Sequence, residues 1–245
     1  MLYIHSRSPS GRSSMLGNLL AKPALVFSLI LTVSVQTASA SIIFNETFDS
    51  EPGSGDGTSG RSGINYDSFA NWTVSDGTVD LLEQGDFAPG PGILCVGNTG
   101  KCVDLDGSTR NSGMLTSVAL ALAAGRYRLT YELAGVDVSF AQSAAGIPNI
   151  VDISIQAIGG GFTFFTDQQV RNQGDFFSLA GGTFDVASPT TVEILFQDLG
   201  NDHFGAVLDN VTLATVPIPP TIALLLGGVL ALFRFSRVGR HGSTA

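Results

Sequence analysis

"GRYRLTYELAG", residues 125–135, alternates with a period of two. Tyr127, Leu129, Tyr131 and Leu133 fall on one face, Arg126, Arg128, Thr130 and Glu132 on the other. Successive side chains of a strand point to opposite sides, so the run predicts a strand with one dry face and one wet face. The pattern recurs in both directions along the chain. "IVDISIQAIG" sets Val151, Ile153 and Ile155 against Asp152, Ser154 and Gln156, and "TTVEILFQD" places Val192, Ile194 and Phe196 together. "SIIFNETF" and "GAVLDNVTLATV" bracket the whole. Clusters of Gly, Asp, Asn and Ser separate these runs, and there is no helical periodicity of useful length. Many short alternating strands with such turns predict an all-β sandwich or barrel.

Composition agrees. The chain has 245 residues with 30 Gly and 10 Pro, and few long helix formers. All 21 acidic residues lie between Glu46 and Asp209, against six basic ones between Ser41 and Val216, so this middle segment has a formal charge of −15. Such a surface repels nucleic acid and anionic lipid.

The two ends read as targeting segments. Arg7, Arg12 and Lys22 precede the apolar "PALVFSLILTVSV", and "ASA" at Ala38–Ala40 has the small-x-small form of a cleavage site. Residues 1–40 are therefore expected to be a signal peptide with a helical apolar core, translated from Met1 or Met15, and the mature chain is expected to begin near Ser41. At the other end, Ile218 to Phe233 is a run of 16 residues without charge. As a helix it would span about 24 Å, enough for a short transmembrane helix. Arg234, Arg237 and Arg240 follow it, which predicts a cytoplasmic tail over 241–245.

A proline pair, an apolar helix and an arginine cluster at the C-terminus resemble the PEP-CTERM sorting signal of exported bacterial proteins. Val216, Pro217 and Pro219 fill the motif within 216–240, with Ile218 where the usual form has Glu, and the arginines are spaced rather than consecutive. The resemblance implies an exosortase-type membrane protease as partner, transient residence in the inner membrane of a Gram-negative bacterium, and release to the cell surface or exopolysaccharide matrix. The segment 41–215 carries a second resemblance. "FANWTVSDGTVDLL", "CVDLDGST", "AGRYRLTYELAG" and "LDNVTL" are similar to the jelly-roll ectodomains found ahead of such tails, themselves similar in fold to galactose-binding-like carbohydrate-binding modules. It implies an antiparallel jelly-roll β-sandwich.

Two acids interrupt apolar runs. Glu46 shares parity with Ile42, Phe44 and Phe48, and Asp209 with Val207, Val211 and Leu213. A buried carboxylate needs a cation or several hydrogen bonds. In the jelly rolls that the chain resembles, the first and last strands are neighbours and often hold a structural ion. Glu46, Asp209 and the nearby Asp49 are thus candidate ligands of a structural Ca²⁺, or else caps of loop N–H groups. Asp104 and Asp106 in "VDLDGST" read as a strand end with an Asx turn. Cys95 and Cys102 flank "VGNTGK" and are expected to form a disulfide in an exported chain. Trp72 and Tyr66, with Phe69, Phe164 and Phe165, offer either a sugar-stacking platform or core packing. His203 is the only histidine outside the terminal segments, and there is no Gly-x-Ser-x-Gly.

These readings converge on a non-enzymatic surface or matrix protein with a structural or adhesive role; the alternative is a carbohydrate-binding module acting on exopolysaccharide. Sorting of this kind has a direct chemical signature. Mass spectrometry of surface material should find a mature protein that starts near Ser41 and lacks the residues after about Pro219. Recovery of a chain that still carries Arg240 would leave a plain anchor instead. Replacing Pro217 and Pro219 by Ala should block processing while leaving membrane insertion intact, because the apolar run is unchanged.

Overall fold

The alternating runs become strands, and their apolar faces meet. The computed structural model describes residues 39–53, 63–84, 95–135, 148–200 and 203–217. Residues 1–38 of the signal peptide expected over 1–40, and the apolar and basic part of the tail, 218–245, lie outside the described residues. Among the described residues, no helix is long and apolar enough to cross a membrane.

Among the described residues, twelve strands follow one another: β1 (Ile42–Glu46), β2 (Trp72–Ser75), β3 (Asp80–Glu83), β4 (Lys101–Asp104), β5 (Met114–Ser117), β6 (Leu120–Leu122), β7 (Gly125–Gly135), β8 (Asn149–Ala157), β9 (Thr163–Arg171), β10 (Ser178–Val186), β11 (Thr190–Asp198) and β12 (Ala206–Thr215). They build two antiparallel six-stranded sheets. The first runs β10-β7-β12-β4-β3, with β1 also on β12; the second runs β2-β5-β11-β8-β9, with β6 also on β11. The architecture is the expected jelly-roll β-sandwich.

The core between the sheets is built from the predicted faces. Tyr127, Leu129, Tyr131 and Leu133 of β7 meet Val151, Ile153 and Ile155 of β8 and Val192, Ile194 and Phe196 of β11 in one continuous cluster. Aromatic rings fill its centre. Phe44 and Trp72 pack edge to face with centroids 5.4 Å apart, and Tyr131 meets Phe196 in the same way at 5.2 Å. A smaller cluster of Leu82, Cys95, Cys102, Ala134 and Val207 lies on the outer side of the first sheet, with Phe177 and Phe204 against it. The Cys95–Cys102 disulfide is formed and helps to cover that cluster.

β12 departs from strict alternation. Asn210 takes a left-handed conformation, φ 50°, and the register of β12 against β7 shifts between Asp209 and Thr212. This is a bulge, and it changes which side chains face which way. Leu208 faces the main core before it, Val211 and Leu213 after it. Val207 and Asp209 therefore point to the outer side, so the simple parity that grouped Asp209 with Val211 does not hold.

Trp72 and Tyr66 are core residues, 4% and 6% exposed, so neither presents a ring face to a ligand. This corrects the platform reading in favour of packing: Trp72 sits among Phe44, Phe48 and Phe196. Its indole N–H finds no acceptor among the described residues. The ring volume rather than the polar edge should thus matter. Trp72→Ala is expected to cost about 3–5 kcal/mol. Trp72→Phe should cost clearly less, since an unsatisfied N–H leaves with the ring. Urea unfolding of the two variants checks the order.

Candidate functional site

The outward face of the second sheet collects the polar half of each alternation. Strand register places Gln168 of β9, Asp152 of β8, Gln197 of β11 and Met114 of β5 in one cross-strand row. The next row holds Thr166, Ser154 and Leu195. Gln156 lies beside Ser154 on the same face, and its Nε2 donates to Ser154 Oγ at 3.0 Å. Gln168 Nε2 donates to Asp152 Oδ1 at 2.7 Å. These residues line an open cleft of about 570 Å³, within the range of small-molecule sites. Its chemistry is that of amides, one carboxylate and hydroxyls around two apolar side chains. Such groups can pair with the hydroxyls of a sugar chain laid across the strands.

The sequence displayed part of this surface. Asp152, Ser154 and Gln156 form the polar side of a visible alternation, yet nothing marked them as a site. Gln168 and Gln197 are isolated glutamines in the sequence and carry no motif. Only pairing of β8 with β9 and β11 brings them together. Asp167, also at the cleft, turns its carboxylate toward the interior edge. Its Oδ2 accepts from the Tyr131 hydroxyl at 2.6 Å and from Gln169 Nε2 at 2.9 Å.

The three candidate calcium ligands do not meet at one point. Glu46 faces the interior, where Oε1 accepts from Phe48 N at 2.8 Å and Oε2 from Asn71 Nδ2 at 2.9 Å. Asp209 lies on the other side of the same sheet because of the Asn210 bulge. Its Oδ2 accepts from Val96 N at 3.0 Å and its Oδ1 from Asn210 N at 2.7 Å. Asp49 Oδ1 accepts from Lys101 N at 2.8 Å. Each of the three acids accepts from a backbone N–H. Among the described residues, no three His, Cys, Asp or Glu side chains are grouped as a metal site.

Another group of acids sits at one end of the sandwich. Asp80, Asp104, Asp106 and Asp198 are all buried. Asp104 Oδ1 accepts from Asp106 N, the expected Asx turn, and from Gly205 N. Asp198 accepts from Gly200 N and Ala206 N, and Asp80 from Asn65 N and Ser108 Oγ. Burial pushes the Asp104 carboxyl well above the usual range; the Asp106 N–H opposes this, and the charges of Asp80, Asp198 and Asp106 add to it. These acids tie loops to strand ends. His203 Nε2 accepts from Arg110 Nε at 2.7 Å, away from the cleft residues.

No family model matches the chain, and no curated protein matches it. Among solved structures, it is similar to the CBM22-1 xylan-binding domain of Xyn10C from Paenibacillus barcinonensis. Identity is 12%, 75% of this chain and 99% of that one are covered, and the TM-score is 0.45. The K3 cleaved adhesin domain of Lys-gingipain from Porphyromonas gingivalis is similar at 15% identity, over 73% of this chain and all of that one, with a TM-score of 0.43. A carbohydrate-binding module, CBM6cm-2, of lichenase 5A from Cellvibrio mixtus, solved with cellotriose, is similar at 12% identity over 72% and 99%, with a TM-score of 0.38.

Asp209 supplies a pH test that also bears on calcium. Burial raises its carboxyl to about 7; the Val96 and Asn210 N–H groups oppose this, and the Asp49 and Glu132 charges add to it. In the unfolded chain the group titrates near 4. The folded state therefore holds an extra proton between those values, and stability falls as pH rises from about 4 to 7. Asp209→Asn should remove this decline. The melting temperature of the variant relative to wild type should climb across that interval and level off above it. EDTA and Ca²⁺ should leave both proteins unchanged; a rise with Ca²⁺ in wild type alone would place a cation at Asp209.

Proposed function

We propose that the chain is an exported, non-catalytic protein whose ectodomain binds polysaccharide along the outward face of the second sheet. The cleft bounded by Asp152, Gln168, Gln197 and Gln156 carries this reading. It is open, crosses several strands, and offers hydrogen-bonding groups at intervals set by the strand spacing of about 4.8 Å. An open groove of this kind suits the side of a chain better than a small molecule that must be enclosed. With no aromatic ring among its lining residues, recognition rests on hydrogen bonds, which implies modest affinity per sugar.

The setting comes from the terminal segments. A signal peptide over 1–40 and a PEP-CTERM-like tail over 216–240 would deliver the ectodomain to the cell surface or extracellular matrix, through an exosortase-type protease. There an exopolysaccharide is the available ligand. The non-catalytic reading is supported by the fate of the nucleophile and base candidates. Both cysteines are in the disulfide, and His203 accepts from Arg110.

Affinity electrophoresis against a panel of neutral and acidic polysaccharides tests the cleft. Saturable retardation by at least one is expected. Gln168→Ala and Gln197→Ala should each weaken it about three- to tenfold, the worth of one neutral hydrogen bond. Trp72→Phe should leave it unchanged. Retardation by none, or binding indifferent to both glutamines, would leave a structural or adhesive role without a glycan at this face.

A further inference from the structure

The outward face of the first sheet, on the opposite side of the sandwich from the cleft, holds a second depression of about 330 Å³. Arg126 and Arg128 of β7 line it. They are two of the six basic residues in a segment of formal charge −15, so their placement in one pocket is a local reversal of sign. Register sets Thr183 of β10 and Ala214 of β12 on either side of Arg128, and Gly181 and Thr212 on either side of Thr130. These neighbours are small, so both guanidinium groups stay exposed. Among the described residues no carboxylate pairs with Arg128. Arg126 is held only loosely, by Thr183 Oγ1 at 3.3 Å and by Asp185 at 3.9 Å with both side chains largely in solvent. Such an exposed pair contributes little and is easily exchanged for another carboxylate.

We infer that this depression binds a carboxylate-bearing sugar residue of an acidic polysaccharide. A guanidinium presents a planar fork of donors that matches a carboxylate with two parallel hydrogen bonds. The hydroxyls of Thr130, Thr183 and Thr212 can pair with ring hydroxyls. Ala214, Val216 and Pro217 supply apolar surface for the C–H side of a sugar ring. Signal-peptide removal after Ala40 would clear Ala40 from the rim. It would leave the Ser41 α-ammonium where Ser41 N now donates to Thr215 Oγ1 at 2.8 Å, a third positive group. The pocket lies next to the tail, which raises the anionic headgroups of a bilayer as a rival. The charge of the domain argues against them. A bilayer presents a continuous anionic plane to the whole ectodomain, which repels it over a Debye length of about 8–10 Å, whereas a single polyuronate strand brings only the carboxylates that lie along its own narrow path.

Titration calorimetry of the full-length chain with polygalacturonate and alginate, beside fully methyl-esterified polygalacturonate, tests this. Saturable binding to at least one acidic polymer is expected, with none to the ester. Arg128→Ala should weaken it about tenfold or more, the worth of a charge-assisted pair. Arg128→Lys should weaken it less, and added salt should weaken it for wild type. Arg128 is exposed, so an unchanged melting temperature verifies that the variants fold. Gln168→Ala should leave polyuronate binding intact, which separates this depression from the cleft on the other sheet. Equal binding of the ester, no binding of either acid polymer, or binding unaffected by Arg126→Ala and Arg128→Ala would overturn the inference. So would binding to phosphatidylglycerol-containing vesicles that is lost in Arg128→Ala while both acid polymers fail to bind.

Discussion

The first sheet depends on one strand that changes face halfway along. β12 is hydrogen-bonded to β7 on one side and to β4 and β1 on the other. No single straight strand could serve both of its packing partners. Its first half must cover the disulfide cluster with Val207, and its second half must return Val211 and Leu213 to the main core. The left-handed Asn210 resolves this by adding one residue to the strand: pairing with β7 resumes at Thr212, and on the other edge the partner passes from β4 to β1. Asparagine is among the few residues that accept such a conformation at small cost. Asp209 then emerges on the outer side, beneath the Val96 N–H and close to Asp49, where burial and like charge hold its proton.

The acidic character of the domain is spent mostly at loop and strand ends. Glu46, Glu51, Asp80, Asp104, Asp198 and Asp209 all accept from backbone N–H groups. A sandwich with long connections leaves many such donors without strand partners, and a buried unpaired N–H is costly. Carboxylates answer that need but accumulate charge, so some, such as Asp104, are held toward the protonated form. A buried acid in a sequence looks alike whether it serves a cation or a loop.

With the interior closed by aromatic and branched side chains, the described polar side chains that can meet a ligand lie on the two outward faces. They differ sharply. The second sheet presents amides, hydroxyls and one carboxylate over a long cleft. The first presents two arginines among threonines and small residues in a shorter depression. In the proposed setting of an extracellular matrix, a module with two unlike faces could contact two polysaccharide segments at once. Avidity then follows without high affinity at either face.

The alternation in 125–135, 150–157 and 190–198 was enough to determine an all-β sandwich or barrel, because a strand half in water must show a period of two whatever its neighbours are. The Cys95–Cys102 pair and the Asx turn at Asp104 were legible for a similar reason: both close over a few residues and need no distant partner. β9 and β10 carry no such pattern. β9 has an irregular exposure pattern along "TFFTDQQVR", and β10 carries glycines in "SLAGGTFDV" where a core face would be read. Trp72 could be assigned neither to core nor to surface, since an aromatic residue suits both until its neighbours are known. The facing of Asp209 was hidden by a single residue, Asn210, whose backbone angle no spacing rule reports. The cleft and the arginine depression were decided by tertiary structure alone. Gln168 meets Asp152 and Gln197, and Arg128 meets Thr183 and Ala214, only through strand pairing across distant parts of the chain, and a binding surface made by pairing has no contiguous signature to read.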